Sequence, residues 1–271
     1  MRTVGEVVHT LPEGELVVGV TSLADEVYVL REKERDQVEV YDVINYRLQR
    51  RLTVPNCRRF SDMTSCGHYR CLYIADDVHD RCIHRLEVQG ATAYTKWAVN
   101  DVPFGLSVNS VHNVLVTCRD VSKIKEFSSH GNLLRELTLP DDVINPRHAI
   151  QLTNGQLIVC HGRLDNAVHC VCKITTDVVQ SHGGQSGSNI SQYQGPISLA
   201  VDNNDFVFVA EEFNRRVTLL SPTLDRVRQV ASPDKLKWYP CITCLDSHRR
   251  RLYVAENKFI LEAGRVIVFS V

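Results

Sequence analysis

The chain has 271 residues, 44% of them hydrophobic, and its 31 Lys and Arg set against 32 Asp and Glu leave a formal net charge of −1. A chain of this length can bury roughly three quarters of its unfolded surface, and nothing in the near-neutral balance demands a polyanionic partner such as nucleic acid. No apolar run of signal-peptide length follows Arg2, and none approaches the roughly 18 residues that span a bilayer. A soluble, cytoplasmic protein with no membrane association is therefore expected, its ten scattered cysteines reduced rather than bridged.

In chain order, the first strand-like segment is Thr3–Leu11, which precedes any repeat. Six similar apolar strands follow, several ending in a small residue and then a carboxylate. They are Val27-Tyr28-Val29, Leu72-Tyr73-Ile74-Ala75-Asp76, Val114-Leu115-Val116-Thr117-Cys118, Leu157-Ile158-Val159-Cys160-His161, Val207-Phe208-Val209-Ala210-Glu211 and Leu252-Tyr253-Val254-Ala255-Glu256, at intervals of 42 to 50 residues. Each is preceded by an apolar segment such as Phe104-Gly105-Leu106-Ser107-Val108 and followed by an alternating one such as Arg216-Val217-Thr218-Leu219. A more polar segment such as Arg226-Val227-Arg228-Gln229-Val230 comes last. Turn residues separate them, as at Asn154-Gly155.

Four strands per period, graded from apolar to charged, is what a radial blade requires, so the expected fold is an all-β, closed six-bladed β-propeller. A β-sandwich would not repeat one signature six times, and period-2 alternation disfavours helical solenoids. The blades are expected at about 12–54, 55–98, 99–140, 141–185, 186–231 and 232–271, the last completed by residues 1–11, in a single monomeric domain. Pairing the chain ends in this way removes two free sheet edges.

The fifth copy is the most legible, with Gly183-Gly184-Gln185-Ser186-Gly187, Gln192-Tyr193, Pro196 through Asp202, Val207 through Glu211 and Asn214-Arg215-Arg216-Val217. It resembles the NHL repeat, and Pro103, Pro146 and Pro240 keep part of the pattern elsewhere, while Arg31, Cys118 and His161 depart from it at the acidic place. The resemblance extends to the C-terminal propellers of tripartite-motif (TRIM) proteins. It implies a binding platform that recruits protein or RNA, for substrate recognition by a ubiquitin ligase, without zinc-binding or coiled-coil segments in this chain.

Asp76, Glu211 and Glu256 would lie on one face, and in gluconolactonase or senescence-marker propellers such carboxylates hold a divalent cation for hydrolysis. A metal-dependent hydrolase is therefore the catalytic alternative. With Arg31, Cys118 and His161 interrupting the ring, the carboxylates are instead expected to bond within their own blades, with no metal or other cofactor and no catalytic residue. Cys241-x-x-Cys244 places its thiols on opposite sides of a strand, and Cys170 and Cys172 share a face but have no evident third ligand. Neither a nucleophile elbow nor a phosphate-binding glycine loop is present.

Surface recognition remains. Loops on one face carry Arg58, Arg59, Arg147, His148, Tyr193, Arg215, Arg216, Lys237, Trp238 and Tyr239, residue types that anchor interfaces and also suit single-stranded RNA. Acidic residues share those loops, so a protein or peptide partner leads and RNA is the alternative.

Overall fold

The structure, a computed structural model, describes residues 5–32, 37–55, 59–77, 80–89, 93–162, 168–175, 177–189 and 191–271, without the side chain of Val179. Its sheets are six antiparallel blades. The first five contain the strands of residues 17–53, 60–98, 103–138, 146–185 and 196–231, four each in sequence order. The sixth is built from Tyr239–Asp246, Arg251–Lys258 and Ala263–Ser270, and the strand Val7–Thr10 pairs with the last of these. The innermost strands of successive blades touch one another, and that of the sixth touches that of the first, so the ring is closed.

Burial follows the polarity gradient of each repeat. The second strands Cys71–Asp76, Val114–Cys118, Leu157–His161 and Val207–Glu211 are buried throughout, whereas the outermost strands Leu48–Thr53 and Leu133–Thr138 are mostly exposed. There is no single core. Six apolar clusters lie one at each interface between neighbouring blades, such as Tyr28, Leu30 and Val40 against Phe60, Leu72 and Ile74 between blades one and two. β-Branched and aromatic residues fill these clusters because each strand must pack on both faces.

One irregularity recurs in every blade. The register of the innermost strand slips near its start, between Val17 and Gly19, Phe60 and Asp62, Pro103 and Gly105, Pro146 and His148, Pro196 and Ser198, and Pro240 and Ile242. Such bulges leave one residue out of the ladder and re-aim the side chains beside it. Proline suits these strand starts because it brings no N–H to the ladder. Among the described residues, no helix is long and apolar enough to cross a membrane, and the described cysteines are free.

Candidate functional site

The six bulges encircle the axis on one face, which carries the starts of the innermost strands and is called the mouth face below. There they line a cavity of about 170 Å³, with contributions from every blade, including Val18, Ser61, Phe104, Arg147, Ile197 and Cys241. It shares Asp62, His148, Ser198 and Ile242 with an axial cavity of about 210 Å³. Gly105 permits the close approach of blades three and four, because a Cβ there would lie 2.5 Å from the Arg147 carbonyl oxygen.

Asp62 and His148 are the ionisable pair of this mouth. Both reach the innermost strand of blade three: Asp62 Oδ2 accepts from the Leu106 N–H at 2.7 Å, and His148 Nε2 donates to the Leu106 carbonyl at 2.9 Å. Oδ2 and Nε2 are 3.7 Å apart. Burial pushes the Asp62 carboxyl up to about 7, offset in part by the N–H groups of Leu106 and Met63. Burial likewise holds the His148 imidazole down at about 4. His148 Nδ1 is buried without a partner.

These shifts have opposite signs in stability. From its ordinary 3.8 up to about 7, Asp62 binds a proton on folding, so its contribution falls as pH rises. Between about 4 and its ordinary 6.5, His148 loses a proton on folding, so its contribution rises with pH. The two cancel over most of that window in the intact protein. His148→Gln should uncover a fall of about 1.4 kcal/mol per pH unit and Asp62→Asn a rise of similar size. Urea unfolding of both variants from pH 4.5 to 6.5 checks this, and slopes parallel to the intact protein's would refute it.

At the rim of the mouth, two guanidinium groups lie over the Phe104 ring, Arg119 at 4.5 Å and Arg147 at 5.0 Å from its centroid. Arg147 also faces Glu212 at 3.8 Å; burial raises the Glu212 carboxyl, and Arg147 offsets part of that rise. On the side of blades five and six, Phe213, Tyr239 and Phe259 follow one another at centroid spacings of 6.0 Å. A short 3₁₀ turn, Phe259–Leu261, continues this line into solvent, with Ile260 94% and Leu261 61% exposed. Contiguous exposed apolar side chains of this kind mark interaction sites.

The expected recognition residues divide. Arg59, Arg215, Lys237 and Tyr239 are exposed on the mouth face, with Arg59 3.8 Å from Asp77. Arg147 and Trp238 are partly buried there, the Trp238 ring lying under the Arg265 guanidinium at 4.8 Å. Arg58 lies outside the described residues. Three expectations are corrected. His148 is buried at the mouth because the bulge turns it inward; Tyr193 is 1% exposed because it fills the core between blades four and five; and Arg216 is buried against Glu211.

The carboxylates at the strand ends are bonded inside their own blades. Glu211 accepts from Arg216 Nε at 2.6 Å, Thr218 Oγ1 at 2.8 Å and Asn214 Nδ2 at 2.9 Å. Glu256 accepts from Arg265 and from the Trp238 N–H, and Asp76 lies 3.8 Å from His84. In blade one the charges are exchanged, Arg31 occupying the strand end and Glu39 the next strand, 2.9 Å away. Blade four is different. His161 at that place meets Cys170 and Cys172, so these thiols do have a third polar neighbour that the sequence reading missed. Cys241 and Cys244 also differ from expectation: both contact blade one, at Val17 and Thr21, because the bulge falls between Pro240 and Ile242.

Asp62 and the apolar line through Phe259 and Ile260 were not singled out from the sequence. Aligning the six strand starts would have placed Asp62 level with His148, but only knowledge of the bulge makes that column point inward.

No family model matches the chain, and no curated protein matches its sequence. Solved structures do. The PQQ-bound aldose sugar dehydrogenase of Streptomyces coelicolor aligns over 98% of this chain and 97% of its own at 12% identity, with a TM-score of 0.72. Virginiamycin B lyase from Staphylococcus aureus aligns over 96% of this chain and 88% of its own at 13% identity, with a TM-score of 0.63. The Swd1 β-propeller domain from Myceliophteria thermophila aligns over 94% and 82% at 8% identity, with a TM-score of 0.61. The shared feature is the propeller fold. At these identities the likeness extends to fold alone, and enzymes and a propeller domain without a stated activity stand side by side among the neighbours.

Proposed function

We propose that the protein is a non-catalytic platform that seats a protein or peptide segment on the mouth face. The carrying observation is the exposed line of Tyr239, Phe259, Ile260 and Leu261, continued by the partly buried Phe213, beside Phe104 and its two guanidinium neighbours. A ligand that fits it offers apolar side chains to the line and a carboxylate to Arg119. The mouth cavity of about 170 Å³ is below the roughly 300–1,000 Å³ typical of small-molecule sites. The His148 Nε2 proton is committed to Leu106, which weighs against acid–base chemistry there. The ligand set for a hydrolytic metal, Asp76, Glu211 and Glu256, is engaged with neighbouring side chains and backbone. Recruitment for a ubiquitin ligase is the finer form of the proposal and rests on the resemblance of the fifth repeat's residues to the NHL pattern; a cytoplasmic location rests on the apolar runs being too short for a signal peptide or a membrane span.

Capture of partners from source cells, with and without ribonuclease, tests it. Ile260→Asp or Phe259→Ala should weaken a captured partner by about 2 kcal/mol each, roughly thirtyfold, with no change in melting temperature. Charge reversal at Arg135 or Arg228, on outer strands, should do little. Binding that disappears with ribonuclease and falls steeply with salt would identify RNA instead. Retention of the partner by both mouth-face variants would refute the placement.

A further inference from the structure

The end of the second strand faces two positions of the third, and in most blades this place holds a satisfied polar group. Glu211 pairs across the ladder with Arg216 and bonds Thr218, Glu256 pairs with Arg265, and Arg31 bonds Glu39. In blade four the corresponding residues are His161, Cys170 and Cys172. Among the described residues, no salt bridge supplies them with a counter-charge. All three are buried, at 2%, 6% and 3% exposure, in and beside the core between blades three and four. Among the described residues, His161 Nε2 meets the Cys172 sulfur alone, at 3.2 Å, and its Nδ1 is buried without a partner. A desolvated imidazole with no oxygen or nitrogen to bond is costly unless something else uses its lone pair.

We propose that His161, Cys170 and Cys172 bind a thiophilic divalent cation, zinc(II), inside blade four. The donor atoms lie within 4.8 Å of one another. Zinc bonds of about 2.3 Å to sulfur and about 2.0 Å to nitrogen, in tetrahedral array, separate the donors by about 3.5–3.8 Å, so small side-chain adjustments suffice. Two thiolates and a neutral imidazole carry a charge of −2, which zinc(II) cancels, whereas copper(I) would leave a buried net charge. Binding forms two Zn–S bonds and one Zn–N bond and releases the thiol protons to solvent, with no change of oxidation state. The three side chains leave one tetrahedral position open.

The test uses the full chain purified under reducing conditions, stripped with a chelator and titrated with zinc(II) against a chromophoric competitor. One equivalent should bind per chain and raise the melting temperature, and cobalt(II) added to the stripped chain should give a thiolate charge-transfer band that zinc(II) abolishes by displacing it. Cys170→Ser and Cys172→Ser should each abolish the band and lower zinc affinity at least a hundredfold, while Cys241→Ala, outside the cluster, should leave both unchanged. Circular dichroism of the metal-free variants separates loss of the site from loss of the fold. Less than a tenth of an equivalent bound by the folded intact chain, or undiminished binding by a folded Cys170→Ser/Cys172→Ser double variant, would overturn the proposal.

Discussion

Deletion of residues 1–11 should lower the melting temperature by roughly ten degrees and drive the protein to aggregate. The strand Val7–Thr10 closes the sixth blade by pairing Val7 with Phe269 and Thr10 with Ile267. Around it, the Gly5 N–H bonds the Ser270 carbonyl at 2.7 Å, the Ser270 N–H bonds Glu6 at 2.9 Å and the Leu11 N–H bonds Val266 at 2.8 Å. Leu11 is 1% exposed in the cluster between blades six and one. Loss of a buried leucine alone costs about 2–5 kcal/mol, and each kcal/mol moves the melting temperature of a domain of this size by about 2–4 °C. Deletion also uncovers residues 265–270 as an unpaired edge, Gly14 and Glu15 still covering Gly264 and Ala263, and such an edge invites strand addition between molecules. Calorimetry and size-exclusion chromatography read both effects. A truncated chain that melts with the intact one and elutes as a monomer would show that the ring does not depend on this strand.

Arg216→Ala should destabilise the fold by about 3–5 kcal/mol, because it leaves the fully buried Glu211 carboxylate without its cation. Arg216 also donates to the carbonyls of Ser188, Asn189 and Gln192, tying the loop before blade five to its second and third strands. Lysine at this position keeps the charge but loses the fork, so Arg216→Lys should fall between the two. The paired replacement Arg216→Met with Glu211→Gln should recover part of the loss by removing the buried charge. Arg215→Ala, its exposed neighbour, should stay within about 0.5 kcal/mol of the intact protein. Urea midpoints for these four variants provide the check. A cost below about 1 kcal/mol for Arg216→Ala would mean that the side chain is solvated.

Most of the architecture was legible because repetition multiplies weak signals. The strand Val207–Glu211 alone reads as any buried strand, but its five counterparts at similar intervals require a ring, and the unpaired segment before the first repeat indicates how it closes. The site was less legible, because sequence gives the alternation of a strand but not where alternation fails. Arg147 and His148 are neighbours in the chain and both line the mouth, yet one reaches the Phe104 ring and only the other extends into the axial cavity, a division made by the bulge after Pro146. Arg215 and Arg216 divide similarly, one to solvent and one to Glu211, because Arg216 begins the third strand with its side chain facing the ladder partner. The apolar line was hidden for another reason. Tyr239 and Phe259 are twenty residues apart and become neighbours only when two loops of blade six fold to the same face.

The six bulges also bear on how such a molecule changes over generations. A residue outside the ladder can be exchanged without shifting strand register, so each blade contributes one adjustable character to a six-letter word written around the axis, from Val18 to Cys241. Drift in that word alters what the mouth accepts while the interface cores continue to select for the same ring. Specificity and foldability are thus inherited through nearly separate sets of positions, which offers a physical reason why propellers at 8–13% identity keep one shape and diverge in purpose.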